Sequence, residues 1–245
     1  ARYDVQGMLV GESLVVSQDI PGQIHQLLQG ANSSTQVKIC GLRRQRDIKA
    51  AIEAGADMLG FMFYTPSHRY VTPQEVANLL EQCEKIAHPP SGQAAPDLVG
   101  VFVNEDAAAI NDIVKLAGLQ FAQLHGDETP EFCQRIQAPV IKALRLSSPA
   151  DLSQVKAYQS VAWRILLDTP TKQWGGSGQV HDWNLAQQVA HETPTLLAGG
   201  LTPQNVDEAI RNVHPWGVDV SSGVETEKEK DPAKIYAFVQ AARNA

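Results

Sequence analysis

From residue 36 onward the chain alternates short apolar or β-branched runs with longer stretches in which apolar residues recur every three or four positions. The runs are QVKIC (36–40), MLGFMFY (58–64), LVGVFV (98–103), FAQLH (121–125), VIKAL (140–144), RILLD (164–168), TLLAG (195–199) and GVDVS (217–221). Near-continuous apolar strands separated by amphipathic helices indicate a parallel sheet covered on both faces, because each crossover lays a helix over it. Eight such units predict an α/β fold, a (β/α)8 TIM barrel over 36–245, with its active site at the C-terminal ends of the strands. An open doubly wound sheet fits less well, since no GxGxxG follows the first strand.

The helices announce themselves chemically. Thr72-Pro73, Thr129-Pro130, Ser148-Pro149, Thr202-Pro203 and Asp231-Pro232 each put a capping oxygen before a proline that supplies the first helical φ. Glu75 completes a capping box with Thr72. Residues 1–35 stand outside the eightfold count: VQGMLVG, then GES, then a periodic stretch through Ile20, Ile24, Leu27 and Leu28 read as a ninth unit, and ANSST (31–35) as a polar linker. This segment is expected to be an appendage outside the barrel. A first residue of alanine suggests a chain cut from something longer.

Composition narrows the function. A hydrophobic content of 43%, a charged content of 19% and no apolar run of membrane-spanning length fit a soluble protein that neither crosses nor binds a membrane. The formal net charge of −7 leaves no basic footprint for nucleic acid, so an anionic ligand has to be held locally. Three cysteines without disulfide or zinc spacing, and no signal peptide, point to a reducing cytoplasm. No metal is expected.

The question is then which polar groups stand at strand ends. Lys38 and Cys40 lie two apart on the first strand and share a face, with Val37 and Ile39 on the other. Cys40 is either a small core residue or a working thiol, and Lys38 is the cation that would favour its thiolate. Cys83 and Cys133 lie among apolar helix positions and belong to the packing. Asp168 closes RILLD, either as a functional carboxylate or as the cap of the following loop, TKQWGGSGQVHDW (171–183), whose glycines could let it close over a ligand. Arg69, just past the second strand, could pair with a ligand carboxylate or be an ordinary surface arginine. His125 could touch ligand or satisfy local backbone. AGGLTP (198–203) and DVSSG (219–223) follow strands seven and eight, where glycines and helix N-termini often receive a phosphate.

Taken in order, KICGL, GADMLGFMFY with SHRYV, VGVFVN, QLHG, LLDT followed by GGSG and DW, LLAGGL and DVSSGVE resemble the phosphoribosylanthranilate isomerases of tryptophan biosynthesis, from about residue 37 to the C-terminus. The resemblance implies a cofactor-free Amadori rearrangement with Cys40 as general base and Asp168 as general acid. It also implies that Arg69 holds the anthranilate carboxylate, that Lys38, His125 and Asp219 lie with it in the substrate site, and that Gly199, Gly200, Ser221, Ser222 and Gly223 bind phosphate. On that mechanism the acid should have its pKa raised and the base its pKa lowered. SHR, the QVHDW continuation and EKEKD depart from the family pattern and bear on loop shape. The N-terminal DVQGMLVGESLVVSQDIPGQIHQLL resembles the last strand-helix unit of indole-3-glycerol-phosphate synthase, implying a bifunctional parent polypeptide with a synthase domain as partner. A non-catalytic phosphosugar-binding barrel and a sugar-phosphate isomerase of histidine biosynthesis are the alternatives; the latter is expected to carry aspartate where this chain has Cys40.

Overall fold

The computed structural model describes residues 35–83, 94–168 and 183–245. Eight strands form one closed parallel barrel in chain order: β1 (Gln36–Cys40), β2 (Met58–Met62), β3 (Asp97–Phe102), β4 (Phe121–Leu124), β5 (Val140–Leu144), β6 (Arg164–Asp168), β7 (Thr195–Ala198) and β8 (Gly217–Val220). The ring closes where β8 pairs with β1, placing Asp219 opposite Lys38. The expected strands are all present, each within one or two residues at its ends; Gly199, for example, turns out of β7 with φ 88°.

Helices α1 (Gln45–Ala54), α2 (Pro73–Glu81), α3 (Ala107–Leu116), α4 (Pro130–Cys133), α5 (Leu152–Tyr158), α6 (Asn184–Glu192), α7 (Val206–Val213) and α8 (Pro232–Arg243) surround the barrel. Thr72 and Glu75 form the expected capping box, and Thr129 and Asp231 cap α4 and α8. At Ser148-Pro149 a 3₁₀ turn leads into α5, with Asp151 accepting from the backbone of Ser147 and Ser148. Thr202-Pro203 is a correction, because α7 starts three residues later, at Val206. Asn205 reaches back to the Thr202 N–H at 2.7 Å and donates to the Gly200 carbonyl, holding this stretch as a turn before the helix begins.

Strand alternation divides the apolar residues into two cores. Val37, Ile39, Leu59, Phe61, Leu124, Ile165, Leu167, Val218 and Val220 point outward into the layer between strands and helices, joined by Cys83 and Cys133 as expected. Met58, Val99, Ile141, Leu166 and Leu196 fill the barrel interior. At its base Phe121 tilts against Trp163, Trp216 meets Trp163 edge-on, and the Arg164 guanidinium lies over both indole rings. The interior is therefore filled from below, which leaves the C-terminal mouth for chemistry. The N-terminal appendage, apart from Thr35, and nearly all of TKQWGGSGQVHDW lie outside the described residues.

Candidate active site

Because Val37 and Ile39 face the helices, Lys38 and Cys40 face the barrel interior. Lys38 is fully buried, and its Nζ donates to Asp219 Oδ1 at 2.8 Å across the β1–β8 junction. The Cys40 thiol stands beside the same ammonium and helps to raise its pKa. Gly60, level with Cys40 on β2, makes the room: a Cβ there would stand 2.9 Å from Cys40 Sγ and 3.2 Å from Lys38 Nζ. Burial disfavours the Lys38 ammonium, yet Asp219 and Cys40 outweigh it and raise the pKa, so this lysine stays charged.

Cys40 is 4% exposed. Burial pushes its thiol pKa up, Lys38 and Lys230 pull against that, Asp219 reinforces it, and the net direction is upward. Asp168, at the end of β6, has the opposite balance. Burial raises its pKa, but His125, with Nε2 3.4 Å from Oδ2, and Arg145, with Nε 3.2 Å from the same oxygen, outweigh burial and bring it below the ordinary value. The ligand-free site thus reverses the expected pattern, a raised acid and a lowered base: a deep, poorly solvated position favours the neutral thiol, and two nitrogen donors favour the carboxylate.

Arg69 stands at the rim. Its Nε and Nη2 donate to the two oxygens of Glu225 at 2.6 and 2.8 Å, a bidentate pair. The chain can pass this close only because residue 41 is glycine, with φ 76°; a Cβ there would lie 2.5 Å from Arg69 Cδ. Glu225 also accepts from Lys230 Nζ at 2.8 Å, and together the two cations hold its carboxyl at about 2 despite burial. Lys230, 4% exposed, donates in addition to the Ser221 carbonyl at 2.8 Å. Ser221 Oγ in turn reaches the Cys40 carbonyl. One chain of contacts therefore ties the rim arginine, the end of β8 and the strand carrying the thiol.

Glu225 and Lys230 belong to a small hairpin, β9 (Glu225–Thr226) and β10 (Glu229–Lys230), whose turn residues Glu227 and Lys228 have φ 53° and 64°. This hairpin contains the EKEKD stretch (227–231). The hairpin builds a turn with two left-handed residues without glycine.

Gly199, Gly200, Ser221, Ser222 and Gly223 all lie just past β7 and β8, the ends of adjacent strands. Gly200 has φ 64°, and a Cβ on Gly223 would come within 1.8 Å of the Leu201 carbonyl oxygen, so the two turns touch through backbone alone. Cys40, His125, Asp168, Arg69 and the turn residues thus share one end of the barrel, while Lys38 and Asp219 lie a layer below the thiol. Sequence reasoning missed Gln123, Arg145, Glu225 and Lys230. Gln123 and Arg145 were within reach of period-two alternation, as polar residues on the inward phase of β4 and just past β5. Glu225 and Lys230 had no such signal, since a two-residue turn brings them to the site.

A closed barrel with thiol, imidazole, carboxylate and guanidinium at its C-terminal mouth is a (β/α)8 barrel enzyme equipped for acid–base chemistry. Residues 37–241 match the family model described as N-(5'phosphoribosyl)anthranilate (PRA) isomerase. Curated relatives bearing that enzyme name include one from Roseiflexus sp., 45% identical over 212 residues that span 85% of this chain and 98% of the relative. Another, from Pelobacter propionicus, is 42% identical over 209 residues, 85% of this chain and 95% of the relative. Among solved structures, phosphoribosyl anthranilate isomerase from Thermotoga maritima superposes with TM-score 0.75 at 38% identity, covering 86% of this chain and all (100%) of that one. A second structure of that enzyme, in complex with reduced 1-(o-carboxyphenylamino)-1-deoxyribulose 5-phosphate, gives TM-score 0.73 at 35% identity, with the same coverage of 86% and 100%. The chain belongs to the N-(5'-phosphoribosyl)anthranilate isomerase family, enzymes of tryptophan biosynthesis.

Proposed function

We propose that Cys40 and Asp168 are the base and the acid with which this chain converts N-(5-phosphoribosyl)anthranilate to 1-(2-carboxyphenylamino)-1-deoxyribulose 5-phosphate. Asp168 protonates the ribose ring oxygen, and the ring C–O bond opens as the nitrogen electron pair forms a Schiff base. The Cys40 thiolate then removes the proton from the adjacent carbon, and the resulting enolamine tautomerises to the ketone. The observation that carries this reading is that the Cys40 thiol and the Lys38 ammonium, both buried, crowd one point above Gly60, 2.9 and 3.2 Å from where its Cβ would stand, at an inward-facing strand end. A core cysteine has no use for a fully desolvated cation.

The reversed pKa directions fit this scheme in a specific way. A thiol with a carboxylate, and a thiolate with a carboxylic acid, hold the same number of protons. Reaching the working form is an internal redistribution and needs no change in net charge. Lys38, kept charged by Asp219, serves the thiolate from below, so both residues act on the substrate through Cys40. Arg69 spends its Nε and Nη2 on Glu225 and leaves its Nη1 edge to the anthranilate carboxylate. The turns at Gly199, Gly200, Ser221, Ser222 and Gly223 receive the phosphate on backbone N–H groups.

The test is decay of phosphoribosylanthranilate fluorescence on adding purified chain, with the ketose phosphate identified as product. Binding of substrate without decay would sink the reading in favour of a non-catalytic barrel.

The resemblance of residues 4–28 to the end of indole-3-glycerol-phosphate synthase supports a second part of the proposal, that the natural polypeptide is bifunctional and works in the cytoplasm. Sequencing the coding region upstream of Ala1 checks it; the absence of the remaining synthase strands there would refute it. Among the described residues no helix is long and apolar enough to cross a membrane.

A further inference from the structure

The mechanism above leaves Asp168 without its proton after every turnover, and one buried side chain outside that mechanism points to how the proton returns. Gln123 sits on β4 with its side chain on the inward phase, two residues before His125, and is 1% exposed. Its amide nitrogen lies 3.0 Å from His125 Nδ1, and His125 Nε2 lies 3.4 Å from Asp168 Oδ2. The amide oxygen Oε1 is buried and has no hydrogen-bond partner among the described residues. With the amide nitrogen facing it, Nδ1 is a lone pair and the ring proton is on Nε2, toward the carboxylate. Turning the amide over sets Oε1 against Nδ1, which then needs a proton of its own, and the ring is imidazolium with Nε2–H still on Asp168. A carboxamide carries both a donor and an acceptor, exchanged by a half-turn of its terminal group. Gln123 can therefore hold the ring in either charge state.

We propose that His125 reloads Asp168 with its proton in each catalytic cycle, and that Gln123 is the positioning residue that keeps the imidazole aligned in both protonation states. This rests on the reading of Asp168 as the acid. The protons balance: imidazolium Nε2–H passes its proton to Asp168 Oδ2, which passes it to the ring oxygen of the sugar. Cys40 gains the proton lost by carbon and returns one to water, while His125 takes one from water through its partly exposed ring; nothing is oxidised or reduced. Arg145, the other group on Asp168 Oδ2, is 74% exposed, and a guanidinium is a donor that stabilises the carboxylate without serving as a proton source. Among the described residues the charged groups facing the pair are Arg145, just past β5, and Asp168 from β6.

The experiment measures kcat and KM across pH for His125→Ala, Gln123→Leu and Asp168→Asn, with and without added imidazole, after circular dichroism confirms each fold. His125→Ala should lose about a hundredfold in kcat with KM little changed, and free imidazole should restore it in a saturable way. Gln123→Leu should lose about tenfold in kcat with KM little changed, because the imidazole has lost its Nδ1 partner. If Gln123→Leu does not fold, the partly exposed His125→Ala still decides. A His125→Ala enzyme with wild-type kcat, or one that imidazole does not rescue, overturns the proposal. If Asp168→Asn is inactive in the same assay, only the reloading step has failed; if it turns over normally, the acid assignment has failed with it.

Discussion

Replacing Lys38 by methionine removes the cation beneath the thiol while keeping most of its volume. Unit charges about 4 Å apart at an effective dielectric near 20 attract by about 4 kcal/mol. That figure bounds the effect from above, because Asp219, 2.8 Å from the same ammonium, cancels much of the field reaching Cys40. If between a third and two thirds survives, the thiolate loses about 1.4 to 2.7 kcal/mol, which is about ten- to a hundredfold in its population near neutral pH. Asp219, 8% exposed, would be left unpaired, so the variant should be Lys38→Met/Asp219→Asn, which removes the charge and its counterion together. The assay is kcat against pH by substrate fluorescence. The sign follows from the chemistry: the base works as thiolate while Asp168 keeps its proton, so the double variant should be slower by that factor across the plateau between the two titrations, with the basic limb of its profile moved upward. A profile superimposable on wild type would refute the role given to Lys38.

Three further outcomes follow from the same contacts. Glu225 is held at about 2, against an ordinary value of 4.5, so its ion pairs stabilise the fold fully above about pH 4.5 and less as pH falls toward 2; urea unfolding should show Glu225→Gln less stable by about 2 to 3 kcal/mol at pH 7 and nearly equal to wild type at pH 2. Lys228→Gly relieves a left-handed residue in the two-residue turn and should raise the melting temperature, for a gain of about 1 kcal/mol. Gly223→Ala drives a methyl group into the Leu201 carbonyl, so calorimetry should show a loss of at least about 2 kcal/mol and inorganic phosphate should inhibit the variant more weakly.

The barrel was legible because parallel strands buried on both faces write long apolar runs, and Thr-Pro or Asp-Pro pairs mark the helices between them. Thr202-Pro203 misled because Asn205 competes for the same backbone and delays α7 by three residues. At the site, alternation on β1 put Lys38 and Cys40 on one face and the end of a strand singled out Asp168, while Asp219 came only with the family resemblance. What alternation cannot supply is the partner across the barrel. The capture of Arg69 by Glu225, and the hold of His125 and Arg145 on Asp168, join residues 156, 43 and 23 positions apart. The direction of both pKa changes depends on those partners and on burial, and so the expected pattern was inverted.

Single-turnover conversion of phosphoribosylanthranilate by Cys40→Ala and by Asp168→Asn, each checked for an intact fold, measures the division of labour most directly. Both rates should fall by at least about a hundredfold, with the substrate still bound. A variant that retains near-wild-type conversion would show that its side chain is neither the base nor the acid.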